Sequence, residues 1–81
     1  MDINKHAMTT IAAESARELL ARNIRSLRAA RAWSQEMLAM EAGLHRTFVA
    51  HVERGARNIS LNNIERIAVA FRVPVSRLFE I

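Results

Sequence analysis

The chain has 81 residues, with a hydrophobic share of 51% and a charged share of 25%, which suits one domain with one modest core and excludes a disordered composition. It has no cysteine, which excludes a disulfide framework and a Cys-based metal site and fits a reducing, cytoplasmic compartment. Twelve Lys and Arg against eight Asp and Glu leave a net charge of +4, and all the bases but Lys5 are Arg, whose planar fork suits phosphate and guanine.

No apolar run reaches the length of a membrane span or a signal h-region. Residues 1–10 lack periodicity and are expected to form a flexible N-terminal arm, read either as a plain tail or as a DNA-embracing segment carrying Lys5 and His6. A single domain is expected over residues 11–81. Thr9 or Thr10 can cap a first helix that runs to about Ala32, with Glu14 and Glu18 near its positive end. Leu20, Ile24 and Leu27 recur at helical spacing and form its buried stripe. Arg17, Arg22, Arg25 and Arg31 are expected on a solvated face. Trp33, in the next connection, reads as a core plug under the turn, with base stacking as the alternative.

Ser34 is a good cap for a second helix, though Met37 at the third helical position denies it a full capping box. Leu38, Ala39 and Ala42 pack that helix. Gly43 and Gly55, the only glycines, stand one short helix apart and imply helix, tight turn, helix, stop. The third helix runs from about Arg46 to Arg54 with His45 at its cap. Leu44, Val49 and Val52 face a core, while Arg46, Thr47, Ala50 and His51 point elsewhere. A short helix with a small, polar and basic outer face, following a glycine turn, is what a major-groove reader needs. Ser60 caps a fourth helix from Leu61 to about Phe71, with Leu61, Ile64, Ile67, Ala68 and Phe71 inward. Val73-Pro74 opens a last short helix bearing Val75, Leu78, Phe79 and Ile81. The expected class is all-α, five helices without a strand.

With these residues in place, the chain resembles the phage-repressor-like (Xre/Cro-type) helix-turn-helix family. Ser34-Gln35, Ala42-Gly43-Leu44, Val52-Glu53-Arg54-Gly55 and Leu78-Phe79 carry the resemblance, which covers roughly Leu20 to Phe79. Within the family, HRTFVAHVERGARNIS is most similar to controller proteins of restriction–modification systems, through Arg46-Thr47-Phe48 and Arg57-Asn58-Ile59. Such controllers are small dimeric regulators of their own operon and of the endonuclease gene. Two departures stand out: Arg72 follows the fourth helix where the family usually has Gly, and Phe48 replaces a common Tyr. The resemblance implies a compact five-helix domain whose second and third helices form the helix-turn-helix.

The implied activity is sequence-specific binding of double-stranded DNA, as an autoregulatory homodimer on a palindromic operator, with RNA polymerase as a further candidate partner. Arg46 can fork to guanine N7 and O6, with a phosphate contact as the alternative, and Thr47 can bond a base or touch a thymine methyl. Ala50 permits close approach. His51 lies on the same face, as a reader or a bystander, and Phe48 is expected at the groove edge, with a core position as the alternative. Ser34 and Gln35 at the head of the second helix, His45 at the head of the third, and Arg54, Arg57 and Asn58 beyond it are the candidate phosphate contacts. Arg57 is also a candidate for the minor groove. The resemblance pairs Glu53 with Arg28. Val75, Phe79 and Ile81, with the exposed edge of the fourth helix, are the candidate dimer surface; the alternative is that they finish the monomer core.

No enzyme, cofactor or metal is expected: there is no Gly-rich phosphate loop or Cys nucleophile, and His6, His45 and His51 lack metal-ligand spacing. The rival reading is an antitoxin-type protein-interaction module that binds DNA together with a protein partner, for which only Met1 to Glu18 is available as a partner segment.

Overall fold

The computed structural model describes residues 15–81. It comprises α1 (Ala16–Ala30), α2 (Gln35–Ala42), α3 (Arg46–Glu53) and α4 (Leu61–Phe71), followed by a 3-10 helix over Val75–Phe79. Among the described residues there is no strand, so the all-α class holds. Among the described residues the expected five helices are four α-helices and one 3-10 segment. Pro74 supplies no N–H to that last segment, and Arg77 N–H reaches the Pro74 carbonyl at 3.0 Å in an i to i+3 bond, the tighter pattern that short runs adopt. The expected arm, Thr9, Thr10 and Glu14 lie outside the described residues.

Three of the four α-helices begin on serine. Ser15 Oγ accepts from the Glu18 N–H at 3.1 Å, and the Glu18 carboxylate accepts from the Ser15 N–H at 2.9 Å. This reciprocal box satisfies two backbone donors at once and starts α1 at Ala16, with Ser15 as its cap. Ser34 accepts from Met37 N–H and Ser60 from Asn63 N–H. His45 stands at the cap of α3 without a side-chain bond.

All four α-helices end alike. Ala32, Gly43, Gly55 and Arg72 take left-handed backbone, with φ between 55° and 70°. The N–H of the following residue then returns to a carbonyl five positions back: Trp33 to Arg28, Leu44 to Ala39, Ala56 to His51 and Val73 to Ala68. These are Schellman closures, favoured by glycine and strained for residues with a Cβ. Ala32 therefore lies beyond α1, not within it as expected.

The core joins Leu20, Ile24 and Leu27 of α1 to Leu38, Ala39 and Ala42 of α2, Val49 and Val52 of α3, and Ile64, Ile67, Ala68 and Phe71 of α4, with Leu78 closing it. Trp33 stacks on Phe71 with ring centroids 5.4 Å apart, plugging the space beneath the α1–α2 connection. Leu61 is corrected: it is 78% exposed. It stands at the first position of the α4 stripe, where no neighbouring helix covers it.

Of the α1 arginines, Arg17 and Arg25 are exposed as expected while Arg22 and Arg31 are half-buried, and all four also bond within the protein. Arg17 donates to Asn58 Oδ1 at 2.8 Å, Arg22 to the Glu80 carbonyl at 2.9 Å, and Arg31 to the Phe71 carbonyl at 2.8 Å. Arg25 donates to the Glu53 carbonyl. The buried Asn23, unanticipated in the sequence reading, gives its amide to the carbonyls of Leu19, Leu78 and Glu80. It thereby latches the C-terminal segment onto α1. No buried side-chain N or O among the described residues lacks a partner.

Candidate nucleic-acid interface

Gly43 turns the chain between α2 and α3 at φ 70°, and Ala39 is buried in the core nearby. The turn leaves the outer face of α3 open: Arg46 and Thr47 are exposed, and Ala50 and His51 are half-buried. Val49 and Val52, each 1% exposed, anchor the opposite face. The helix therefore hangs from the core by its apolar side and presents its N-terminal turn outward.

Its far end is held by Glu53, which is 4% exposed. Arg28 Nε lies 2.6 Å from Glu53 Oε2, and Arg28 Nη2 lies 2.9 Å from Oε1. This bidentate fork joins α1 to α3. Arg28 also donates to the Trp33 carbonyl at 2.8 Å, and the hydrogen bond to Glu53, working against partial burial, raises its pKa. Gln35 Nε2 adds a third bond to the carboxylate, reaching Oε1 at 3.1 Å. An acid on a basic face is thus neutralised inside the protein.

Hydrogen bonding divides the arginines into two sets. Arg17, Arg22, Arg25, Arg28, Arg31, Arg66 and Arg77 are each tied to a protein acceptor. Among the described residues, Arg46, Arg54, Arg57 and Arg72 make no hydrogen bond or ion pair, and the first three lie on or just beyond α3. Arg57 instead rests its guanidinium over the Phe48 ring, 5.3 Å from the centroid, a cation–π contact. Phe48 is half-buried and packs against the core, with Arg57 over its ring.

Arg57, Phe48, Thr47 and His45 line one concave surface, and Asn63 of α4 shares it. Asn63 is absent from the sequence-derived set; its place three residues after the Ser60 cap was the available signal. Asn58 is exposed, and its Oδ1 already accepts from Arg17, so its amide N–H groups are the polar atoms that remain to an external acceptor. Ser34 and Gln35 sit at the head of α2, on the same layer as Glu53 through the Gln35 bond. Val75, Phe79 and Ile81 are not brought into this surface. They lie in the C-terminal segment, where Phe79 packs against the core while Ile81 is 93% exposed.

Among the described residues no group of His, Asp and Glu could hold a metal ion, and no helix is long and apolar enough to cross a membrane.

The pattern of the helix-turn-helix family matches residues 24–78. The chain belongs to the helix-turn-helix family. This is the Xre-like group that the sequence resembles, a family of regulatory DNA-binding domains and not an enzyme class. Control protein C.BamHI of Bacillus amyloliquefaciens is 43% identical over 65 residues, spanning 79% of this chain and 80% of the relative. The Neisseria hypothetical transcription factor from Neisseria meningitidis serogroup B is 48% identical over 62 residues; the match covers 76% of this chain but only 58% of that protein. In three dimensions, the restriction–modification controller protein C.AhdI from Aeromonas hydrophila matches with a TM-score of 0.75 and 43% identity, over 78% of this chain and 96% of that one.

Proposed function

We propose that this protein is an autoregulatory transcriptional regulator of the restriction–modification controller type, acting in the cytoplasm as a homodimer on a palindromic operator. The observation that carries the reading is the division of the arginines. Of the four described arginines without a protein hydrogen bond or ion pair, Arg46, Arg54 and Arg57 gather on or just beyond α3, and only Arg72 lies elsewhere, at the end of α4.

In this reading Arg46 forks to a guanine, Thr47 bonds a base or touches a thymine methyl, and Ala50 lets the helix approach. His51 reads from the same face, and Phe48 holds Arg57 beside the groove. Ser34, Gln35, His45, Arg54, Arg57 and Asn58 take the flanking phosphates, which set register but not sequence. Arg28 and Glu53 fix α3 for this task.

A single short helix reads too few base pairs, so two copies are required, with recognition helices about 34 Å apart. Val75 and Ile81 expose apolar surface next to Phe79 in the C-terminal segment, which supports pairing through this segment. Pairing doubles the net charge of +4 and gives steep salt dependence. RNA polymerase is the further partner if the protein activates. The test is titration of the DNA upstream of this protein's own gene, with sedimentation to count chains. Two copies per site are expected; one copy, or indifference to sequence, overturns the proposal.

A further inference from the structure

Glu53 has one bond beyond its fork with Arg28, and that bond leads to the proposed DNA surface. Gln35 is the first residue of α2, half-buried, and its Nε2 donates to Glu53 Oε1 at 3.1 Å. A side-chain amide is planar and carries two donor protons on that nitrogen. Once one proton is committed to a fixed carboxylate, the amide plane and the direction of the second proton are restricted too. The carboxylate itself is held by both Arg28 bonds, and the backbone of the same residue is held by Arg25.

We infer that Glu53 is a positioning residue for DNA binding, acting through Gln35. The carboxylate that anchors the end of α3 also aims the remaining amide proton of Gln35 at a backbone phosphate. One buried acid would then set the base-reading helix and the phosphate-binding head of α2 in a single register. The inference rests on the DNA-binding reading above; its ligand is the phosphodiester of the operator. It differs from a purely structural role, in which Glu53 would matter only through Arg28 and Gln35 would be a bystander.

Two measurements separate these possibilities. In the free protein, the side-chain NH2 resonances of Gln35 should exchange slowly with water and differ from those of an exposed glutamine, and Glu53→Met, which keeps the length but removes the acceptor, should return them to exposed values. Resonances unmoved by Glu53→Met overturn the inference whatever the DNA does. In operator titrations, Gln35→Ala should weaken binding about tenfold with only a small fall in melting temperature, in keeping with loss of one bond to a charged acceptor. Glu53→Met should weaken wild-type binding similarly, yet change the Gln35→Ala variant by less than about twofold, as coupled residues do. Equal losses in both backgrounds would show that Glu53 acts without Gln35. If Glu53→Met does not fold, Gln35→Met, which keeps length but removes both donors, must lose the same tenfold; binding equal to wild type overturns the inference. If wild type itself ignores its upstream DNA while Arg46→Ala behaves identically, the DNA reading has failed, and the resonance result still reports on the Glu53–Gln35 bond.

Discussion

Arg28 and Glu53, twenty-five positions apart in the chain, meet in a two-bond fork that joins the last turn of α1 to the C-terminal end of α3. Glu53 is 4% exposed and the Arg28 side chain 20% exposed, so water reaches the cation more readily than the acid. Truncating the acid leaves Arg28 beside the core with only the Trp33 carbonyl and deprives Arg25 of nothing but geometry, since that contact is to backbone.

Glu53→Ala should therefore cost about 3–5 kcal/mol of stability, the range for breaking one side of a buried pair. Thermal melts check this directly, because each kcal/mol moves the midpoint by roughly 4–8 °C in a domain of this size. A variant that melts like wild type yet fails to bind DNA contradicts the structural role.

Arg72 ends α4 at φ 59°, ψ 45°, where its Cβ opposes the left-handed backbone. Arg72→Gly should remove that strain and raise stability by about 0.5–1 kcal/mol. The side chain makes no hydrogen bond among the described residues, so nothing favourable is lost with it. A melting temperature that falls in this variant would show an unrecognised role for the guanidinium.

Glu18 links helix capping to pH. Its carboxyl is held below the ordinary glutamate range, first by the backbone N–H of Ser15 and then by the Ser15 hydroxyl. Because the folded-state value is the lower one, the contribution is complete above the unfolded glutamate value and is lost as pH falls through the lowered one. Glu18→Gln should thus be less stable than wild type at neutral pH and converge with it in acid. Denaturant midpoints at neutral and acid pH test this; a constant difference would contradict it.

Much of the fold was readable because its signals are local. Ser34 and Ser60 announce helix starts, Gly43 and Gly55 announce ends, and Leu20, Ile24 and Leu27 repeat at the helical period. Ala32 was not legible as a helix end, since an alanine bears a Cβ that normally disfavours positive φ; tertiary packing of Trp33 on Phe71 overrides that preference. Ser15 was overlooked as a cap, although Glu18 three residues later is the capping-box signature. The α1 arginines read as surface because their acceptors are backbone carbonyls and an asparagine up to 58 positions away, and such pairings leave no periodic trace. The same holds for Asn23 and for the bond from Gln35 to Glu53. The candidate reading face was legible as a pattern of residue types, whereas the sorting of tied from untied arginines required three dimensions.

Base reading by α3 depends first on Arg46. It is exposed and makes no hydrogen bond among the described residues, so Arg46→Ala should melt at the wild-type temperature. In gel-shift titrations against the DNA upstream of this protein's gene, it should bind more weakly by about 1–3 kcal/mol, with relaxed preference at the base it reads. Wild-type affinity in the variant, or an equal loss on every sequence, would contradict a reading role for α3.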